Sequence, residues 1–245
     1  MQKPKRFLAV SCSHGHHINR DAAEKVLKFR DEYQPHKVLH LGDFIDADCF
    51  RAGAMRDGSG GDIIADLRYG LEFVQRLAPT TLFLGNHEDR LYKLISESKN
   101  ELVLYAAGDV CNKIELLVKD LKAELVPYSG VGSTECWRLL GGTAFGHGIM
   151  YNEQAARDHA EMLGRPVVFG HVHKILRQAG RCPGAPEGVS VGCLADIPAM
   201  AYAKSRRATA SWDLGYCFGE YTDTWCKVYT ERIDQWQPAK IKPAA

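Results

Sequence analysis

The feature that most constrains this chain is a repeated junction: a short apolar run ends directly on a polar segment that carries glycine. Arg6–Ser11 (RFLAVS) runs into Cys12-Ser13-His14-Gly15, Lys37–Leu41 (KVLHL) into Gly42-Asp43-Phe44-Ile45-Asp46, and Thr80–Leu84 (TTLFL) into Gly85-Asn86-His87-Glu88. Apolar runs this short, bounded by turn residues, read as buried strands. Between them, Arg20–Tyr33 and Ile63–Leu77 carry apolar residues at helical spacing, and Pro35 stops the first of these helices. A rhythm of strand, polar loop, helix, strand predicts an α/β layered fold. In such folds, sites gather beyond the carboxyl ends of parallel strands, which is where these polar segments fall.

Further along, Glu88 to about Leu125 is mostly helical in pattern and is expected to form a cap segment spanning about 89–125. Trp137–Gly146 reads as a hairpin turning at Gly141-Gly142. Val167–Gly170, Gly188–Cys193, Gly215–Tyr221 and Trp225–Arg232 read as strands. The stretch RAGAMRDGSGGD between Ala47 and Ile63 is expected to be a mobile surface loop over the site, and the final QPAKIKPAA a frayed tail. No repeat interrupts the pattern, so residues 1–245 are expected to form one domain.

Composition excludes several classes. With 31 Lys and Arg against 30 Asp and Glu, there is no global pull toward nucleic acid or an acidic membrane. The N-terminal MQKPKRFLAVSCSHG lacks the long apolar stretch of a secretory signal, and no run approaches the length of a membrane span. The eight cysteines are scattered with no CxxC pair. A reducing cytoplasm with free thiols is the expectation, and any Cys near a His cluster becomes a candidate metal ligand.

Five segments carry the chemistry: the three above, Gly146-His147-Gly148, and Gly170-His171-Val172-His173. Each alone is weak, since a lone His at a strand end is usually a surface or hydrogen-bonded residue and GD is usually a turn. Together they supply imidazole, carboxylate and sulfur donors of the kind that hold Zn, Fe or Mn. His171 and His173, two apart, are expected to point the same way on a strand.

The order of these segments resembles the calcineurin-like metallophosphoesterase superfamily, whose pattern runs DxH, GDxxD, GNHE, GH, GHxH. The resemblance covers roughly residues 6–175, and GNHE with GHxH is its specific part. It implies a two-sheet mixed β sandwich flanked by helices. It also implies that His14 and His173 bind a first metal with the residue at position 12, and that Asp43 bridges two metals. Asn86, His147 and His171 would complete the second site. His87 would protonate the leaving oxygen, with Asp46 and Glu88 holding histidine orientations. Two metals roughly 3.5–4 Å apart would activate a water for attack on a phosphate monoester or diester.

The departure is Cys12, which stands where the family has its first Asp. Either the first site is damaged, or the thiolate is a ligand; a nearby divalent metal deprotonates a thiol, and the softer donor favours Zn or Fe there. Leu84 before GNHE, and Ala47-Asp48 after Asp46, argue against the protein Ser/Thr phosphatase branch and toward phosphoesterases of bacteria and their phages. Arg90, His16, Arg51 and Arg56 are candidate phosphate contacts, although any one of them taken singly reads first as a solvated surface charge. Three functions remain open: hydrolysis of a small phosphate ester or nucleotide, a metal-dependent nuclease disfavoured by the neutral balance of charge, and a degenerate metal-binding module. The substrate, the metal pair and the oligomeric state are not legible.

Overall fold

A computed structural model describes residues 3–51, 61–130, 133–196 and 212–233. Arg56, most of the Gly-rich stretch and the C-terminal tail lie outside the described residues.

Four strands run parallel in the first sheet: β1 (Lys5–Val10), β2 (Lys37–His40), β3 (Thr81–Phe83) and β4 (Glu124–Val126). On the other side of β1, β10 (Gly215–Tyr221) and then β11 (Cys226–Arg232) add antiparallel. The second sheet holds β5 (Arg138–Leu140), β6 (Thr143–Gly146), β7 (Val167–Phe169), β8 (Ile175–Ala179) and β9 (Glu187–Val191), in the order β5-β6-β7-β9-β8. Its central three strands are parallel and its two edges antiparallel. The fold is the expected α/β arrangement, a two-sheet mixed sandwich flanked by helices.

Strand alternation explains the layering. On β1, Phe7 and Ala9 face Phe145, Val168, Val189 and Val191 of the second sheet, while Leu8 and Val10 face helix α1 (Arg20–Tyr33). On β3, Phe83 points into the sandwich, and Leu82 and Leu84 point out toward the helices. Both faces are buried, which is why these strands read as continuous apolar runs rather than alternating ones. Helices α2 (Ile63–Leu77), α3 (Asn86–Glu97) and α4 (Glu101–Leu121) share one apolar cluster with Leu82 and Leu84, and α5 (Ala155–Leu163) packs on the second sheet's outer face.

Three differences from the sequence reading have local causes. The segment from Glu88 onward is two helices, and it leaves helix before Leu125. Lys122, at φ 53°, caps α4 in the left-handed conformation, and Glu124–Val126 pairs with β3 as a strand. Helix α5 and strand β8 were not anticipated; α5 is short, and β8 is an edge strand with little buried surface to mark its period. His171 and His173 are not on a strand, because β7 ends at Phe169 and both lie in the following turn.

Candidate metal centre

Each polar segment follows a parallel strand: Cys12 and His14 after β1, Asp43 and Asp46 after β2, Asn86 to Glu88 after β3, His147 after β6, and His171 and His173 after β7. Both sheets therefore deliver side chains to one end of the sandwich. Two donor clusters that share Asp43 result, beside a third group of His14, Asp46 and His87. Cys12, His14, Asp43 and His173 form one; Asp43, His147 and His171 form the other, with the donor atoms of each cluster within 4.8 Å of one another. Asp43 belongs to both. The Asn86 carboxamide oxygen lies 3.1 Å from His147 Nε2, at the edge of the second cluster.

Neighbouring groups fix which nitrogens face inward. His14 Nδ1 lies 2.8 Å from Asp46 Oδ1, and an ionised carboxylate can only accept, so Nδ1 carries the proton. The Nε2 lone pair is thereby turned toward His173 Nε2 at 3.0 Å and Asp43 Oδ2 at 3.9 Å. His147 Nδ1–H donates in the same way to the Leu41 carbonyl at 2.7 Å. Its Nε2 then faces Asn86 Oδ1, the Asp43 carboxylate at 3.2 Å and His171 Nδ1 at 3.2 Å. Lone pairs and a carboxylate converge there, an arrangement suited to a cation. Cys12 Sγ, wholly buried, accepts the His171 N–H at 3.3 Å and lies 3.0 Å from Ser11 Oγ.

Charge follows the same geometry. Burial opposes ionisation of Asp43, but His147, His87 and His14 outweigh it and hold the carboxyl well below the usual range. Burial pushes His171 down to about 3 and His173 well below its ordinary value, so both are neutral donors. Burial also works against a proton on His147, yet Asp43 overrides it and raises that histidine. The thiol of Cys12 is pushed up by burial and by Asp43 in the absence of a cation. These are the signs expected where positive charge is wanted and only protons are on hand.

Backbone strain marks the same residues. Cys12 (φ 54°), His14 (49°), Asp43 (55°), His171 (65°) and His173 (56°) all sit in the left-handed region, which non-glycine residues seldom adopt. The other described non-glycine residues there are Ala47 and three helix C-caps, Gln34, Ala78 and Lys122. Three loops, after β1, β2 and β7, must turn sharply to aim these side chains at one point, and the backbone absorbs that demand. Close approach does the rest: a Cβ on Gly85 would lie 2.1 Å from Asp43 Oδ1.

Around the clusters, Asp46 holds two imidazoles, His14 and His87; the latter's Nδ1 is 3.1 Å from its Oδ1 and 2.6 Å from its main-chain oxygen. Burial opposes a proton on His87, but Asp43 and Asp46 prevail and raise it to about 10. Glu88 acts on the backbone rather than on an imidazole. Wholly buried, its carboxylate accepts the N–H groups of Asp43, Ile45 and Gly85, tying the second and third loops together. Arg90 donates to the Ala47 carbonyl at 3.0 Å, His16 Nδ1 lies 3.4 Å from Asp66 Oδ1, and Arg51 lies near Asp48.

Sequence reasoning missed Asp66 of α2, a buried carboxylate that accepts the N–H groups of Asp46 and Ala47. The signal was present, since Asp66 falls in register with Gly70, Phe73, Val74 and Leu77 on the buried stripe of the helix. It also missed His40, buried beside Ser13, and His159, both pressed into neutral form by burial.

A two-sheet α/β sandwich whose loops gather candidate metal donors at one end is the architecture of a class of phosphoesterases. The chain belongs to the calcineurin-like phosphoesterases, whose family model matches residues 5–175. Members of this family act on phosphate esters and use divalent metal ions. Among solved structures, a metallophosphoesterase from Sphaerobacter thermophilus is similar at 16% identity and a TM-score of 0.49, covering 95% of this chain and 89% of that one. A phosphoesterase of E. coli, Yfce, matches at 14% identity with a TM-score of 0.42, covering 87% of each chain. A dimetal phosphatase from Danio rerio matches at 10% identity with a TM-score of 0.44, covering 94% of this chain and 96% of that one. Among curated proteins none matches. No described helix is long and apolar enough to cross a membrane.

Proposed function

We propose that the chain is a phosphoric ester hydrolase that works with two metal ions and cleaves a small phosphate monoester or diester, such as a nucleotide. The observation that carries this reading is the pair of donor clusters sharing Asp43. Cys12, His14, Asp43 and His173 would hold one ion, and Asp43, Asn86, His147 and His171 the other. Thiolate sulfur in the first set favours Zn or Fe over Mg, with Mn accommodated in the second. Bound there, such ions supply Lewis-acid polarisation of the phosphate and bring the pKa of an attacking water toward neutrality.

The chain's own groups supply the rest. Asp46 fixes His14 with Nε2 inward. His87, held through Nδ1, presents Nε2 4.0 Å from Asp43 Oδ2 and hands its proton to the departing ester oxygen. Glu88 keeps the Asp43 and Gly85 loops in register, so that the bridging carboxylate and the acid stay at fixed separation. Arg90 anchors the 46–47 turn; together with His16, Arg51 and Arg56, it is a proposed contact for the substrate phosphate. The segment 89–125, which begins at this acid-bearing helix, is the proposed flank of the substrate opening. A net charge of +1 favours a small ester over tracking of nucleic acid. The eight cysteines, all unpaired, suit a reducing cytoplasm.

The test is metal analysis of the purified chain followed by assay with nitrophenyl phosphate and bis-nitrophenyl phosphate in the presence of Mn, Fe or Zn. Two metal ions per chain and turnover of one ester are expected, and on an alkyl phosphate, whose leaving oxygen needs the acid, His87→Ala should lower kcat by about 10²–10⁴. Absence of turnover with all three metals would sink the hydrolase reading and leave a metal-binding module.

A further inference from the structure

We infer that Asp66 is a positioning residue for the leaving-group acid, acting through the peptide unit that joins Asp46 to Ala47; this rests on the proposed role of His87. Asp66 comes from helix α2, outside all five polar segments, and is 2% exposed. Its Oδ2 accepts the Ala47 N–H at 2.8 Å, and both oxygens lie within 3.2 Å of the Asp46 nitrogen. The carbonyl of that same 46–47 peptide, the main-chain oxygen of Asp46, lies 2.6 Å from His87 Nδ1. One planar unit is therefore gripped at both ends, its N–H by Asp66 and its C=O by His87.

Two consequences follow. A carbonyl can only accept, so Nδ1 of His87 must carry a hydrogen, and the proton to be transferred resides on Nε2, the nitrogen facing Asp43. A carboxylate on the N–H also polarises the peptide and makes its oxygen a stronger acceptor. Ala47, at φ 49°, sits in a left-handed turn whose N–H that carboxylate holds while Arg90 holds its carbonyl. The helix is seated tightly enough to transmit it. A Cβ on Gly15 would lie 1.8 Å from Asp66 Oδ1, and one on Gly70 would lie 2.6 Å from the Phe44 carbonyl oxygen, so α2 lies directly against the first two loops.

The experiment compares esters that differ in their need for an acid. In Asp66→Asn, one N–H acceptor is replaced by an NH₂ donor that opposes the backbone N–H groups. For an alkyl phosphate, whose alkoxide must be protonated to leave, kcat is expected to fall about 10–100-fold, the usual range when a group behind an active-site residue is lost. For the nitrophenyl ester, which leaves unaided, kcat should fall far less, with two metals still bound. In a His87→Ala background, Asp66→Asn should have almost no further effect on the alkyl ester. Equal losses on both esters, or an undiminished effect without His87, would overturn the inference. Wild type that hydrolyses neither ester would instead defeat the hydrolase reading itself. If Asp66→Asn does not fold, Asp66→Ser, whose hydroxyl still accepts one N–H, is read identically. The wild-type protein gives an independent measurement: a ¹⁵N-histidine spectrum should contain a hydrogen-bonded Nδ1–H that disappears in His87→Gln, and an unprotonated Nδ1 would refute the geometry.

Discussion

Cys12 is the residue on which the metal chemistry turns. Its Sγ lies within the first cluster, buried and accepting a backbone N–H, rather than packed away from it. If sulfur is a ligand, Cys12→Ala should reduce metal content from two ions toward one, with the second cluster still loaded. Cys12→Asp should restore two and move the preference from Zn toward Mn. Unchanged content in the alanine variant, read by elemental analysis, would remove Cys12 from the ligand set. A metal ion must also compete with protons for His147, whose hold on them Asp43 strengthens, so metal binding should weaken as pH falls. The donor types and their loops were legible in the chain because imidazole, carboxylate and sulfur occur at strand ends in a specific order. Their division into two clusters came only through the family resemblance, because the residues by themselves do not encode the backbone angles on which it depends.

At the scale of elements, the loops interlock through contacts only glycine permits. Gly85 has an ordinary extended conformation, so Gly85→Ala carries no backbone penalty. Its added methyl must instead displace Asp43, the residue common to both clusters. Overpacking of this kind typically costs about 1–3 kcal/mol. Chemical denaturation should register that loss, and affinity should fall for both metals together rather than for one; an affinity loss confined to one ion would contradict the shared role of Asp43. The strands and the first two helices were readable because burial on both faces writes continuous apolar runs, and a half-buried helix writes a period of 3.6. Helix α5 and strand β8 were too short or too exposed to write either. Asp66 was passed over because a carboxylate in a helix is ordinarily assigned to solvent, and only its register with Gly70 and Phe73 places it inside.

For the whole molecule, stability should depend on metal and on acid separately. A ligand at about 100 times its Kd contributes roughly 3 kcal/mol of stability per site, so chelation should lower the melting temperature by several degrees for a chain of this size. An unchanged melting temperature would mean that the clusters hold nothing in the native protein. Acid acts elsewhere as well. His159 Nδ1–H donates to the Ala155 carbonyl, and its Nε2 accepts the N–H groups of Ile149 and Met150, so it must be neutral to hold that loop. Burial lowers it from 6.5 to about 4. The folded chain therefore binds fewer protons than the unfolded one between those values; its stability is complete above 6.5 and declines as pH falls toward 4. In metal-free protein, His159→Gln should flatten that decline by roughly 2 kcal/mol in urea titrations at about pH 5 and pH 7.5, leaving the part due to His40, His171 and His173.

The left-handed ligands have an evolutionary corollary. At Cys12, His14, His171 and His173 the backbone taken alone would adopt its conformation more readily as glycine, by about 1 kcal/mol apiece. Relaxed selection for the reaction would remove the one demand that these side chains meet and leave only the conformational cost of carrying them. A chain that retains all four side chains against that gradient is one whose usefulness has outweighed its own robustness.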